Sequence, residues 1–238
     1  MKFIISYLAF IVSILAYVVF TMHLAFAEKR SDEYIRERVL QLSGNGYLCT
    51  GIQIKTPHNK VYILSAAHCR DILTDGKAEA IDENGKSHVV EFVDVSVSTD
   101  LLLLTPASRI SIDIAKNTHK HEKIHTITHG KGMPSYRTDG ELLQEMDTLP
   151  VTVSSDKEPE EFEKCINSNK SILDVENLFG SCSIMLRSML STAMVMPGSS
   201  GGPVLNYDGD LVGIVSNTDG YFSGFVPLHD IKDFLKNR

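Results

Sequence analysis

Ser200 lies in the part of the sequence that most strongly indicates catalysis. It is the third residue of the hexapeptide Gly-Ser-Ser-Gly-Gly-Pro at 198–203. A serine hydroxyl becomes a good nucleophile only when a base accepts its proton, and the oxyanion formed by attack needs hydrogen-bond donors. Gly198 lets the backbone fold so that its N–H and that of Ser200 point at one spot. The hexapeptide therefore predicts a nucleophile with an oxyanion hole; a Gly/Ser-rich loop without chemistry is the alternative.

A base and an acid that suit such a serine are present at His68 and Asp100. His68 follows an apolar segment and two alanines and precedes a cysteine, and a base must be held in position before its pKa matters. Asp100 opens a run of four leucines at 101–104, so its carboxylate would face the interior, where burial is costly without a partner. The imidazole N–H of His68 would be that partner. Asp94 lacks the apolar neighbours and is the weaker candidate.

The elements that would position these residues are mostly short strands. Apolar segments at 51–55 and 61–64 flank a loop-forming Pro-His-Asn-Lys segment, and Asp-Gly at 208–209 separates two apolar β-forming segments. An Asp-Gly turn between such segments is a strong hairpin signal. Frequent turns between short strands favour a sandwich or barrel over alternating βαβ units. We expect two β-rich halves that divide near residues 110–122.

Short helices are predicted on both sides of this β-rich region. Ser31 is a candidate N-cap of a first helix that runs into a strand at Val39. Residues 229–236 place three apolar side chains on one face and predict a terminal helix. An acidic loop with a short helix is expected at 156–167.

The first residues of the chain indicate export. Residues 3–27 contain no charged side chain, and Ala-Phe-Ala at 25–27 fits the small-x-small pattern that signal peptidase recognises. We expect a signal peptide at 1–27 and an exported unit at 28–238, periplasmic or secreted. The apolar run is also long enough to cross a bilayer, which takes about 20 residues. An uncleaved membrane anchor through residues 3–24 is the alternative.

Composition excludes some classes of protein and leaves the disulfide pairing open. The formal net charge of −7 argues against a nucleic-acid binder, which needs a basic face. An even number of cysteines in an exported chain predicts two disulfides, with three pairings open. No Cys-x-x-Cys pair is present, so a zinc or redox site has little support. The four cysteines are Cys49, Cys69, Cys165 and Cys182.

A group of histidines raises the question of a metal site. The four are His119, His121, His125 and His129. They satisfy no fixed ligand spacing, and apolar and polar residues alternate through 124–127. This pattern favours a connection followed by a strand, and we expect neither a metal nor a cofactor.

The chain order His68, Asp100, Ser200 is that of chymotrypsin-like enzymes. Other matching stretches occur in the order typical of that family: 49–51, 64–69, 100–104, 197–203 and 211–216. On these residues the chain resembles the trypsin/chymotrypsin family from about Leu40 onward. The resemblance implies an all-β fold of two packed six-stranded antiparallel β-barrels, at about 39–115 and 120–228, with a C-terminal helix. It also implies a serine endopeptidase acting on protein or peptide substrates without a cofactor.

Further roles are implied by the resemblance alone. Gly198 and Ser200 would donate their N–H groups to the oxyanion, and Ser216 would contact Asp100. The substrate-binding positions would be Met194, Ser216, Asn217, Thr218 and Gly224. The disulfides would be Cys49–Cys69, beside the histidine, and Cys165–Cys182, around a loop of the second barrel.

Two positions depart from the digestive members of the family. Ser199 stands where they carry an aspartate that pairs with a newly cleaved N-terminal amine, so we expect no such activation and a closer similarity to bacterial and viral members. Met194 stands where trypsin-like enzymes carry the aspartate that attracts Arg or Lys, so we expect small or medium apolar side chains before the cut. An inactive exported binding module and an esterase with the same triad are the alternatives. The sequence indicates no oligomeric state.

Overall fold

The structure, a computed structural model, describes residues 30–154, 181–218 and 220–238. Six strands form a first closed barrel in the order β1-β2-β3-β6-β5-β4, and all neighbouring strands are antiparallel. Their bounds are β1 Val39–Gly44, β2 Tyr47–Lys55, β3 Val61–Ser65, β4 Lys77–Ile81, β5 Ser87–Ser96 and β6 Leu101–Leu104.

Six more strands form a second closed antiparallel barrel in the order β10-β11-β12-β9-β8-β7. Their bounds are β7 Lys123–Thr128, β8 Tyr136–Ser154, β9 Ser181–Ser191, β10 Pro203–Leu205, β11 Leu211–Thr218 and β12 Ser223–Pro227. The Asp-Gly turn predicted at 208–209 joins β10 to β11. The prediction of two six-stranded barrels followed by a helix is confirmed.

One apolar core joins the two barrels. All four leucines of β6 are buried, as expected of a strand covered on both faces. Side chains from both barrels meet in a single buried cluster, which includes Val39, Ile52, Leu64 and Leu103 from the first barrel and Ile127, Leu205, Leu211 and Ile214 from the second. This shared core packs one barrel against the other, so loops of the two barrels meet at their boundary.

Two short helices close the ends of this core. Helix α1, Asp32–Arg36, starts at Ser31, whose hydroxyl accepts the N–H of Tyr34 and acts as the expected N-cap. Helix α2, Leu228–Leu235, buries Ile231 and Leu235 in the inter-barrel cluster. Among the described residues, no helix is long and apolar enough to span a membrane. The apolar segment 3–27 and the acidic segment 156–167 lie outside the described residues.

Candidate active site

Asp100 is buried and receives hydrogen bonds from both barrels. It lies just before β6 in the left-handed backbone region, with φ 54°, and is 4% exposed. Its Oδ1 accepts the backbone N–H of His68 at 3.0 Å, and both carboxylate oxygens lie 3.1 Å from Nδ1 of the same histidine. The hydroxyl of Ser216, on β11, donates to Oδ2 at 2.5 Å. These donors compensate the cost of burying a carboxylate.

His68 is fixed by its backbone and by a neighbouring disulfide. It lies in the 3₁₀ helix Ala67–Ile72, which follows β3, and the next residue, Cys69, is bonded to Cys49 of β2. Because a carboxylate faces Nδ1, we assign the ring proton to that nitrogen, which leaves Nε2 as a hydrogen-bond acceptor. The side chain is 48% exposed, which leaves the ring accessible to a substrate.

The surroundings of His68 favour its protonated form. Burial by itself lowers the pKa of the imidazole, because it removes water from the charged ring. The hydrogen bond and negative charge of Asp100, together with the charge of Asp71, act in the opposite direction and prevail. The pKa of His68 therefore lies above the ordinary histidine value of 6.5.

The loop that carries Ser200 is held through its carbonyl groups. Each carbonyl from residue 197 to residue 200 accepts one hydrogen bond: Pro197 from Lys131 N–H (2.7 Å), Gly198 from Thr50 Oγ1 (2.9 Å), Ser199 from Gly202 N–H (2.9 Å) and Ser200 from Thr50 N–H (2.8 Å). All peptide bonds among the described residues are trans, so each carbonyl that is fixed directs the N–H of its own peptide to the opposite side.

Two N–H groups of this loop form no hydrogen bond within the described part of the chain. They are the N–H groups of Gly198 and of Ser200. The N–H of Ser199, between them, donates to the carbonyl of Met196 at 2.9 Å. A pair of unengaged, rigidly held donors beside a nucleophile is the arrangement that stabilises an oxyanion.

Gly201 brings the loop close to the first barrel. Its φ is +83°, and a Cβ built on it would lie 2.0 Å from Ser65 Oγ and 2.2 Å from the carbonyl oxygen of Thr50. Its N–H donates to the carbonyl of Val215 on β11 at 2.8 Å. The loop is thus held against strands of both barrels, and only glycine fits at this position.

Ser200 lies beside the segment that carries His68. Its carbonyl oxygen is 3.7 Å from Sγ of Cys69, and the residue is half-buried. Among the described residues, no hydrogen bond joins the Ser200 hydroxyl to the His68 ring; such bonds are often long without substrate and shorten when it binds. The structure brings the three residues to one place at the boundary between the barrels, with the histidine–aspartate link formed.

Four of the five predicted substrate-binding residues lie on the adjoining strands β11 and β12, and Met194 lies in the segment between β9 and β10. Asn217 of β11 pairs with Gly224 of β12, and its Oδ1 lies 2.5 Å from where a Cβ of Gly224 would stand. Ser223 donates its hydroxyl to the carbonyl of Ala193 at 2.6 Å and so ties β12 to the segment that contains Met194. Met194 is 64% exposed, whereas Ser216 is turned toward Asp100. Thr218 is exposed at the end of β11, where its hydroxyl donates to the carbonyl of Phe222.

Three residues that hold the loop carrying Ser200 are not found by reasoning from the sequence. Thr50 contacts the loop through both its N–H and its hydroxyl. Thr128, at the end of β7, and Tyr136, at the start of β8, contact the hydroxyl of Ser199. Thr50 is next to Cys49 in a family-like stretch, which is a signal that it lies near the site. Nothing in the sequence links the other two to residue 199.

The histidines and cysteines outside the site separate into individual contacts. His121 pairs with Glu141 (2.6 Å), and β7 spans the alternating segment 124–127. Within the ranges that the structure describes, no three His, Cys, Asp or Glu side chains are grouped so as to hold a metal ion. The Cys49–Cys69 disulfide is present. The predicted Cys165–Cys182 bridge lies outside the described residues.

Comparison with known proteins agrees with this geometry. A family model described as a trypsin-like peptidase domain matches residues 49–214. Comparison with curated proteins gives no match. The chain is similar in structure to the inactive form of the Rv3671c protease of M. tuberculosis, with a TM-score of 0.62, 13% identity, and coverage of 89% of this chain and 94% of that one. It is also similar to a serine endoprotease from Yersinia pestis, with a TM-score of 0.59, 16% identity, and coverage of 86% and 63%.

Proposed function

The chain belongs to the trypsin-like peptidase family and is a serine endopeptidase, and from this premise we propose that Ser200, His68 and Asp100 are its catalytic triad. The observation that supports this most directly is the buried carboxylate of Asp100. It accepts hydrogen bonds from His68 of the first barrel and from Ser216 of the second. A carboxylate held at the boundary of both barrels and facing Nδ1 is what a base in this position requires.

In the proposed mechanism, Ser200 Oγ attacks the carbonyl carbon of the substrate peptide bond while Nε2 of His68 accepts its proton. Asp100 holds the ring in the correct tautomer and stabilises the imidazolium that forms. The N–H groups of Gly198 and Ser200 donate to the oxyanion of the tetrahedral intermediate. The imidazolium then gives its proton to the leaving amine, which leaves an acyl-enzyme. Water, activated by the same histidine, hydrolyses the ester and regenerates the hydroxyl.

The proposed substrates are proteins or peptides with a small or medium apolar residue before the cut. Met194, Asn217 and Gly224 contribute no charge to the proposed pocket, so these three residues do not attract Arg or Lys. The side chain of Asn217 lies over Gly224 and takes up space at that position. Both features favour a short side chain over a long or charged one.

A peptide library tests this specificity. Incubating the purified protein with a mixed-sequence library and identifying cleavage sites by mass spectrometry should show cuts after small or medium apolar residues. The Ser200→Ala variant, treated in parallel, should produce none of them. Predominant cleavage after Arg or Lys would refute the proposed pocket. Hydrolysis of simple esters without any cleavage of peptides would refute the endopeptidase function itself.

The proposed site of action is outside the cytoplasm. The Cys49–Cys69 disulfide supports this, because such bonds persist in oxidising compartments. The apolar segment at 3–27, with its small-x-small sequence, supports a signal peptide or, if uncleaved, a membrane anchor.

The pH dependence of cleavage should follow His68. Below its pKa the ring is protonated and cannot accept the Ser200 proton, so kcat/KM should rise as pH rises through that value. Because Asp100 and Asp71 raise the pKa of His68, the acid limb of the profile should have its midpoint above 6.5, the ordinary histidine value. Asp71→Asn should move the midpoint to lower pH without abolishing turnover. A midpoint that stays in place or moves upward in this variant would contradict the assignment.

A further inference from the structure

Ser199 is the buried centre of a group of hydroxyls beneath the nucleophile loop. It is 0% exposed, and its Oγ lies 2.9 Å from Thr128 Oγ1 and 2.7 Å from the hydroxyl of Tyr136. The backbone N–H of Met196 donates to the Tyr136 hydroxyl at 3.2 Å and to Ser199 Oγ at 3.3 Å. We call Ser199, Thr128 and Tyr136 the hydroxyl cluster.

We propose that the hydroxyl cluster positions the oxyanion hole, and that it does so without a free N-terminal amine. The inference rests on the proposed function, because it concerns the N–H groups of Gly198 and Ser200. These three residues are positioning residues: they act through the backbone of the loop and contact neither the substrate nor the reacting atoms.

Ser199 closes a turn at both ends. Its N–H donates to the carbonyl of Met196, and its side-chain oxygen accepts the N–H of the same residue. This reciprocal pair encloses Pro197 and Gly198, the peptide whose N–H would meet the oxyanion. Gly198 has φ +94°, a conformation that needs support from its surroundings. Removing the Ser199 hydroxyl would open one side of this turn.

Tyr136 also supports the turn that holds Pro197. A Cβ on Gly130 would lie 2.7 Å from the Tyr136 hydroxyl, so the two are in close contact. The next residue, Lys131, donates its N–H to the carbonyl of Pro197 at 2.7 Å. Tyr136 therefore supports the same peptide plane from two directions, through Ser199 and through the turn Gly130–Gly132.

The hydroxyl cluster also differs in charge from an aspartate at position 199. Ser199 Oγ can accept two hydrogen bonds and donate one, and its three partners match this capacity. The cluster is neutral, whereas an aspartate at this position would need a cation, such as the N-terminal amine. An α-amine loses its charge near pH 7.7–8.0. A hole held by hydroxyls has no such dependence and is formed whether or not the N-terminus is free.

The test compares three variants of the full chain. Ser199→Ala and Tyr136→Phe each remove hydroxyl contacts of the cluster. Thr138→Val is the matched control, because Thr138 on β8 makes an equivalent hydroxyl contact of 2.8 Å with Thr126 on β7, away from the loop. Each variant is assayed for kcat and KM on a peptide amide and for inhibition by a peptide aldehyde, whose hemiacetal oxygen occupies the oxyanion hole.

We expect Ser199→Ala and Tyr136→Phe to lower kcat by about 10- to 100-fold, below the 10²–10³ that loss of a whole oxyanion donor costs. KM should change by less than about 3-fold, and aldehyde affinity should fall by the same factor as kcat, since both depend on the hole. Thr138→Val should leave kcat, KM and aldehyde affinity unchanged. If both cluster variants behave like Thr138→Val, the positioning role is wrong.

A second arm uses the wild-type sequence and therefore does not depend on folding of a variant. The exported unit 28–238 carrying a few extra residues before Glu28 should hydrolyse the peptide amide as fast as the same unit without them. Neither form should lose activity near pH 8. A requirement for a free N-terminus would overturn this inference while leaving the triad intact. A wild-type protein that neither cleaves peptides nor binds the aldehyde would overturn the proposed function, and this inference with it.

Discussion

Replacing Ser200 with alanine should lower kcat for peptide hydrolysis by roughly 10⁶-fold, the loss typical of removing the nucleophile of a serine protease. Without Oγ no acyl-enzyme forms, and only binding and the oxyanion hole remain to assist water. The free energy of unfolding should change little, because the Ser200 hydroxyl makes no hydrogen bond to any residue that the structure describes. Initial rates on a fluorogenic peptide, together with chemical denaturation, measure both effects.

The control for this variant is Ser98→Ala. Ser98 is an exposed serine whose hydroxyl contacts Ser96 and lies outside the proposed site. Its removal should leave kcat within a factor of about 2, as is usual for surface substitutions. Turnover of Ser200→Ala within 10-fold of the wild type, in a preparation free of other proteases, would show that another residue is the nucleophile.

Asp100→Asn should lower kcat by roughly 10⁴-fold, the cost of holding a catalytic histidine in the wrong tautomer. The carboxylate faces three donors: the backbone N–H of His68, its Nδ1–H and the hydroxyl of Ser216. An asparagine offers one acceptor atom and one NH₂ group. With NH₂ toward Nδ1, the ring proton moves to Nε2, which then cannot accept the proton of Ser200. Steady-state kinetics near pH 8 would measure the loss.

Asp94→Asn is the matched control, because Asp94 is the other acid before the leucine run. It pairs with Arg238 and has no contact with His68. Its substitution should leave kcat within about 3-fold, because this half-buried ion pair involves none of the residues proposed for the triad. Equal losses in the two variants would mean that Asp100 acts through general stability rather than through the histidine.

Local pattern was enough to predict short strands in two β-rich halves and the residues proposed for the triad, whereas the two six-stranded barrels were implied by the family resemblance. Short apolar segments separated by Asp-Gly and similar turns predict strands because the signal is contained in neighbouring residues. Asp100 could be selected over Asp94 because four leucines follow it and burial then demands a partner. The structure shows that partner, His68, and adds Ser216, which was expected from the resemblance.

The support of the nucleophile loop could not be predicted in the same way. Tyr136 lies 63 positions from Ser199 and Thr128 lies 71 positions away. Their convergence depends on the β7–β8 register, in which Thr128 pairs with Tyr136. A shift of one residue would turn both side chains to the other face of the sheet. Position 199 could be recognised as unusual, but the groups that replace an ion pair there emerge only from the closed barrel.

The shape of the proposed pocket could not be predicted either, because it also depends on how two strands pair. The register between β11 and β12 shifts between Val215 and Asn217, and such irregularities re-aim side chains. Just after this shift, Asn217 pairs with Gly224 and its side chain lies over that glycine. The family resemblance identifies both as pocket positions, but it does not show that one side chain fills the space of the other.

The proposed mechanism depends on the activation of Ser200 by His68. The most direct measurement is to treat the protein with a fluorophosphonate probe and to locate the adduct by peptide mapping, in the wild type and in His68→Ala. We predict one adduct, on Ser200, and its near-complete loss in the histidine variant. An adduct on another residue, or equal labelling of Ser200 without His68, would contradict the proposed catalytic triad.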